Sequence, residues 1–166
     1  MKILTFIFSV LVLVACNNID VNKQLEYGIK KYEQDSLAIA LNTFNSIISQ
    51  TDTSKKTYFL RFLVNVDMQH YEAALKDIEK LEILDSGMAY IYANKGALFY
   101  AQNNYEEALV NYKIALQKNP ELTLMYNTIS HMLFATGKKD EACDYYIKSI
   151  ENGKTDFNEQ ITEYCK

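Results

Sequence analysis

Tryptophan is absent from the 166 residues, proline occurs once and glycine five times. So little punctuation speaks against an all-β sandwich and for long uninterrupted helices, whose larger anchors are the thirteen tyrosines and eight phenylalanines. Arginine is nearly absent too: Arg61 is the one arginine among seventeen basic residues, and the formal charge is −4. That balance has no electrostatic footprint for a nucleic-acid backbone. Enzyme signatures are also missing: no H-E-x-x-H, no phosphate-cradling G-x-x-x-x-G-K, no G-x-G-x-x-G and no G-x-S-x-G. Acidic pairs such as Glu106-Glu107 and Asp140-Glu141 stand where helices start, so they read as solvated caps. Catalysis has no candidate, and neither a cofactor nor a small-molecule substrate is implied. A hydrophobic share of 49% with 23% charged residues, over this length, fits one ordinary globular domain.

The chain opens with Met1-Lys2, a mostly apolar run from Ile3 to Val14, and the exit Leu13-Val14-Ala15-Cys16. The run is well short of the roughly 20 residues that span a bilayer, so it reads as a secretory signal. Leu13-Val14-Ala15-Cys16 resembles the bacterial lipobox. That resemblance implies removal of residues 1–15 and lipidation of Cys16, with several acyl chains giving stable anchoring. An ordinary secretory signal with a chance cysteine is the alternative. By the same resemblance Asn17, where an aspartate would retain the protein in the inner membrane, implies the outer membrane. The single acid in Asn17-Asn18-Ile19-Asp20 implies a protein facing the periplasm. Residues 16–20 form a short tether.

A 34-residue period organises the rest. Ala40, Ala74, Ala108 and Ala142 lie on one lattice, and each is followed four residues later by a large side chain: Phe44, Ile78, Tyr112 and Tyr146. Small and large at this spacing share one helical face, so the alanine lets two helices approach while the larger residue fills the space beside it. Tyr58, Tyr92 and Tyr126 recur at the same interval, and Gly28, Gly96 and Ser130 share a column in which Phe62 is the exception. Gly137, Asn103-Asn104 and Gln69-His70 supply inter-helix turns. Phe62 and Asn65 weaken the first helix of the second copy, and Gln24 and Lys31 that of the first.

The third copy, with Tyr92, Gly96, Phe99, Ala108, Tyr112, Ala115 and Pro120, resembles the tetratricopeptide repeat (TPR), Tyr92 standing for the family's tryptophan and Lys95 for its leucine. The resemblance implies an all-α chain, a right-handed α-α superhelix of four helix-turn-helix repeats at 21–54, 55–88, 89–122 and 123–156. A capping helix over 157–166 would cover the last apolar face with Phe157, Ile161 and Tyr164, started by Thr155 or Asp156 with Glu159 reaching back.

In TPR proteins the first helices line a concave groove. Carried over, that role falls to Tyr32, Phe59, Leu63, Tyr90, Asn94, Tyr100, Asn127, His131 and Phe134, a largely aromatic and apolar strip suited to an extended peptide or a partner's helix. These columns lack the lysines and arginines with which chaperone-binding TPR proteins clamp a C-terminal carboxylate. Cys143 and Cys165 would share an oxidising compartment, and a hairpin folded at Gly153-Lys154 brings them opposite each other. Pairing is expected, as in the final repeat of secreted bacterial TPR proteins, with two reduced core thiols as the alternative. Neither cysteine has a C-x-x-C or histidine partner for metal. His70 reads as a solvated turn residue. The implied function is a lipid-anchored, non-enzymatic adaptor for protein partners in the cell envelope. Alternatives are an accessory subunit of an outer-membrane assembly, secretion or pilus machine, a regulator or subunit of a cell-wall enzyme, and a self-associating module.

Overall fold

The structure is a computed structural model that describes residues 20–51, 54–153 and 159–166. The signal segment, Cys16, Asn17, the expected starters Thr155 and Asp156, and Phe157 of the expected apolar stripe lie outside the described residues. Among the described residues there are helices and no strand: α1 Val21–Glu33, α2 Leu37–Gln50, α3 Lys55–Asp67, α4 Tyr71–Leu84, α5 Ala89–Ala101, α6 Tyr105–Lys118, α7 Leu124–Ala135, α8 Lys139–Glu151 and α9 Glu159–Tyr164. Each 34-residue window contains one helix pair. The chain divides into two compact units between Asp77 and Ile78, inside α4.

Local chemistry sets the helix starts. Asp20 accepts from the backbone N–H groups of Asn22 and Lys23, and Ser54 from that of Thr57, so two helices open on side-chain caps. Acids follow in the first turns of the second helices, Glu72 in α4, Glu106 and Glu107 in α6, Asp140 and Glu141 in α8, where the helix dipole favours negative charge.

The turns repeat as strictly as the alanines. Asp35, Gln69, Asn103 and Gly137, at 34-residue intervals, all take positive φ, between 56° and 82°. At each, two backbone hydrogen bonds close the helix end. Asp35 donates to Tyr32 and Ser36 to Lys31; Gln69 to Val66 and His70 to Asn65; Asn103 to Tyr100 and Asn104 to Phe99; Gly137 to Phe134 and Lys138 to Leu133. This is the Schellman closure, in which a left-handed residue reverses the chain and satisfies the last carbonyls. Glycine occupies that place in one hairpin of four.

The first unit buries Ala40, Phe44, Ile47 and Val64 together. The second is built on Ala108, Leu109, Tyr112, Leu116, Ile129, Met132, Leu133 and Ala142. All four lattice alanines are fully buried. Gly28 and Gly96 show why the first helix needs a small residue opposite the second. A Cβ at Gly28 would stand 2.6 Å from Cε1 of Phe44, and one at Gly96 would stand 2.9 Å from Cδ1 of Tyr112. Ser130, at the same column, donates its hydroxyl to the Ala142 carbonyl at 2.9 Å.

The expectation of weakened first helices in the first two copies is corrected by α1 and α3, which run uninterrupted. Phe62 is buried and stacks on Phe59 with ring centroids 6.1 Å apart. Asn65, also buried, donates from Nδ2 to Asp77 Oδ2 at 3.1 Å, and Arg61 donates to both oxygens of the same carboxylate. An aromatic contact stands where the other copies have Gly28, Gly96 or Ser130, and a satisfied buried polar network where the third copy has Phe99. In α1, Lys31 is partly exposed, its ammonium 5.4 Å from the centre of the Tyr27 ring and donating to Gln34 Oε1 at 3.3 Å, so the charge is not buried.

Candidate protein-interaction site

The nine residues carried over by resemblance fall on first helices, and five of them, Tyr32, Phe59, Tyr90, Tyr100 and Phe134, are aromatic and half-buried or exposed. In the first unit Tyr32 is half-buried and donates its hydroxyl to Asp67 Oδ2 at 2.6 Å. Burial, then the hydrogen bond to Asp67 and its charge, push that phenol up to about 12. Phe59 and Leu63 are half-buried on α3. Nearby, α1 and α2 border a shallow depression of about 400 Å³ lined by Gln24, Tyr27, Ile39, Asn42, Thr43 and Ser46. None of the nine lines it.

In the second unit the helices bring Tyr100, His131 and Phe134 together. They line a cleft of about 300 Å³ with Tyr105, Met132, Ala135, Gln160 and Ile161. Tyr100 is 47% exposed and meets the Tyr105 ring at 5.6 Å between centroids. Tyr90 stands at the start of α5, where its carbonyl accepts from Asn94 Nδ2 at 2.8 Å. Tyr90, Asn94 and Asn127 are not part of the cleft wall.

Five wall residues were missed by sequence reasoning: Tyr105, Met132, Ala135, Gln160 and Ile161. Tyr105 opens α6 just as Tyr71, 34 residues earlier, opens α4, a place that marks a helix start and not a binding wall. Gln160 and Ile161 belong to the terminal helix, whose apolar stripe signalled capping and not a binding wall. Cys143 and Cys165 form a disulfide with their Cα atoms 5.3 Å apart, and this holds the end of α9 against the start of α8.

The cleft is chemically a contact surface. Aromatic faces and aliphatic carbons make up much of the wall, and Tyr100, Tyr105, His131 and Gln160 bring its side-chain hydrogen-bonding groups. Among the described residues no group of three or more His, Cys, Asp or Glu side chains is placed to hold a metal ion. Nor, among them, is any helix long and apolar enough to cross a membrane.

No family model matches the chain. It is 22% identical over 144 residues to TPR repeat-containing protein MJ1428 of Methanocaldococcus jannaschii, covering 87% of this chain and 25% of that protein. It is 31% identical over 151 residues to DnaJ homolog subfamily C member 3 of Mus musculus, covering 89% and 30%. The chain thus spans between a quarter and a third of the length of these curated relatives. Among solved structures it is similar to MamA, with a TM-score of 0.76 at 18% identity over 84% of this chain and 82% of that one. MamA from Desulfovibrio magneticus RS-1 superposes with a TM-score of 0.73 at 16% identity, over 80% and 75%. In sequence the chain is similar to tetratricopeptide-repeat proteins, and its fold is the paired-helix repeat of TPR solenoids.

Proposed function

We propose that this protein is a non-enzymatic adaptor, tethered to the outer membrane through a lipidated Cys16 and facing the periplasm, that holds a peptide or helix of a protein partner on its first-helix surface. The observation that carries the reading is the convergence of Tyr100, His131 and Phe134, from two successive first helices, on one aromatic cleft. Such a cleft accepts a large apolar side chain against its aromatic faces. The remaining carried-over residues are assigned to the first helices of their own units, Tyr32, Phe59 and Leu63 in the first and Tyr90, Asn94 and Asn127 in the second. Photo-crosslinking in cells tests this, with the crosslinking residue placed at Tyr100 or Phe134 and, as control, at Ile83, which is 82% exposed on the second helix α4. A discrete partner adduct is expected from the cleft positions and not from Ile83. Equal capture from all three sites, or capture from Ile83 alone, refutes the groove assignment. The lipid assignment is checked separately by labelling with an alkyne fatty acid, which should be lost in Cys16→Ser.

A further inference from the structure

Among the described residues the terminal helix α9 spans six, Glu159–Tyr164, below the roughly 12–15 at which an isolated helix holds together in water. Something other than its own hydrogen bonds keeps it in place. Its side chains say what. Ile161 is only 2% exposed and closes one wall of the Tyr100–His131–Phe134 cleft. Three residues on, one helical turn along the same face, the Tyr164 ring meets Phe134 edge-on at 5.8 Å between centroids, and its hydroxyl donates to Asp140 Oδ1 at 3.0 Å. The Lys139 ammonium lies 5.1 Å from the Phe134 ring centre and 5.3 Å from that of Tyr164. A second depression, of about 650 Å³, opens beside Phe134, Lys139, Gln160, Glu163 and Tyr164. With a cleft on either side, α9 rests on a narrow seat made by α7 and the start of α8.

We propose that α9 is a stand-in for a partner helix: it fills a slot that accepts an aliphatic residue and, three positions later, a tyrosine, and reduction of Cys143–Cys165 lets a partner's amphipathic helix take its place. The proposal rests on the adaptor reading above and adds the partner's chemistry and the control of access. The occupant is read from the helix already seated there. The seat offers an apolar slot for Ile161, the Asp140 carboxylate for a phenol hydroxyl, and the Phe134 edge with Lys139 for an aromatic ring. While the bond is intact α9 cannot leave. On the chain-entropy view, closing this loop is worth on the order of a hundredfold in the docking equilibrium, and that factor disappears on reduction.

The redox step needs a dithiol reductant. One of its thiolates attacks Sγ of Cys165, the S–S bond breaks, and Cys143 leaves as a thiolate that takes up a proton. The reductant's second thiol then displaces Cys165, so two cysteine thiols and one oxidised dithiol result.

Two measurements on the full-length chain test the idea. A fluorescein-labelled peptide of residues 159–166 carrying Cys165→Ser is titrated against the oxidised chain, the dithiothreitol-reduced chain and the Cys143→Ser/Cys165→Ser double variant. Affinity at least tenfold higher for the second and third is expected, and it should vanish when the peptide carries Ile161→Ala. Equal affinity for oxidised and reduced protein, or indifference to Ile161→Ala, overturns the proposal. Amide exchange is the second readout. The Cys165 N–H, which donates to the Ile161 carbonyl at 2.9 Å, should exchange at least tenfold faster on reduction while the amides of α8 keep their rates. Unchanged exchange on α9 overturns the latch even where peptide binding is weak. Crosslinking from Tyr100 judges the adaptor reading independently, so the two can fail separately.

Discussion

Gly28 and Gly96 owe their place to what faces them. In a helix interior, alanine is worth about 1 kcal/mol over glycine, yet here a methyl would press on the Phe44 or Tyr112 ring. Overpacking of this kind costs about 1–3 kcal/mol. Gly96→Ala should therefore lower stability by on the order of 1 kcal/mol, and Gly28→Ala by more, because its contact is the shorter. Urea midpoints would show this, and a stabilised Gly28→Ala would mean that the Phe44 ring yields freely. Tyr32 makes a second residue-scale case. Its folded pKa, about 12, lies above the ordinary phenol value of 10.0, so the neutral phenol's contribution is complete below pH 10 and is lost as the pH rises from there towards 12. Tyr32→Phe should cost about 1 kcal/mol at neutral pH and then lose less between pH 9 and 11 than the parent does. Denaturation curves at the two pH values decide it: parallel losses would remove Tyr32 from the account. Burial also raises the Tyr92, Tyr112 and Tyr145 hydroxyls, so the variant keeps part of the alkaline sensitivity.

At the scale of elements the hairpins are one design with different residues at the turn. An L residue held in the left-handed region costs roughly 1–2 kcal/mol, less for asparagine or aspartate, whose short polar side chains bond locally. Gln69 lacks that excuse. Gln69→Gly should raise stability by about 0.5–1 kcal/mol, after the greater freedom of the unfolded chain is set against the relief of strain. Gly137→Gln should do the reverse. A matched pair of thermal melts measures both, and a destabilised Gln69→Gly would show that the side chain makes a contact worth more than the strain. The same scale explains the correction to α3. Its departures from the repeat pattern looked like weaknesses because a helix's tolerance depends on what it packs against. The Asp77 carboxylate, 1% exposed, takes hydrogen bonds from Arg61 and Asn65 at once. A lone arginine on α3 and an aspartate far along α4 carry no joint signature in the sequence. Folded together, they satisfy each other, and separating them would leave a buried charge without a partner.

Across the whole molecule, regularity is the main physical fact. Ala40, Ala74, Ala108 and Ala142 are all fully buried, while Ala38 and Ala73, one or two residues away on the lattice, are exposed. Alanine-to-leucine changes at the four lattice positions should each cost about 1–3 kcal/mol by overpacking, against shifts within about 0.5 kcal/mol at Ala38 and Ala73. A lattice position that accepts leucine without loss would break the equivalence of the repeats. Much of this was legible in the order of residues, because period, helix face and turn position depend on spacing alone. Small-then-large at four residues defines a face whatever the neighbours are, and one proline with five glycines leaves the helices uninterrupted. The binding surface was legible only in part. Tyr100, His131 and Phe134 could be placed on first helices, but their shared cleft depends on where Tyr105 and the terminal helix come to rest. Ile161 belongs to a stripe that reads as a lid and turns out to be a wall as well. Spacing along one chain therefore decided the repeat, its buried alanines and its left-handed turns, since each is set by contacts within a helix pair. Which particular side chains meet, within a pair as in the Arg61–Asp77–Asn65 network or beyond it as in the cleft and the seat of α9, was decided by tertiary packing, because those contacts join residues that no local period relates.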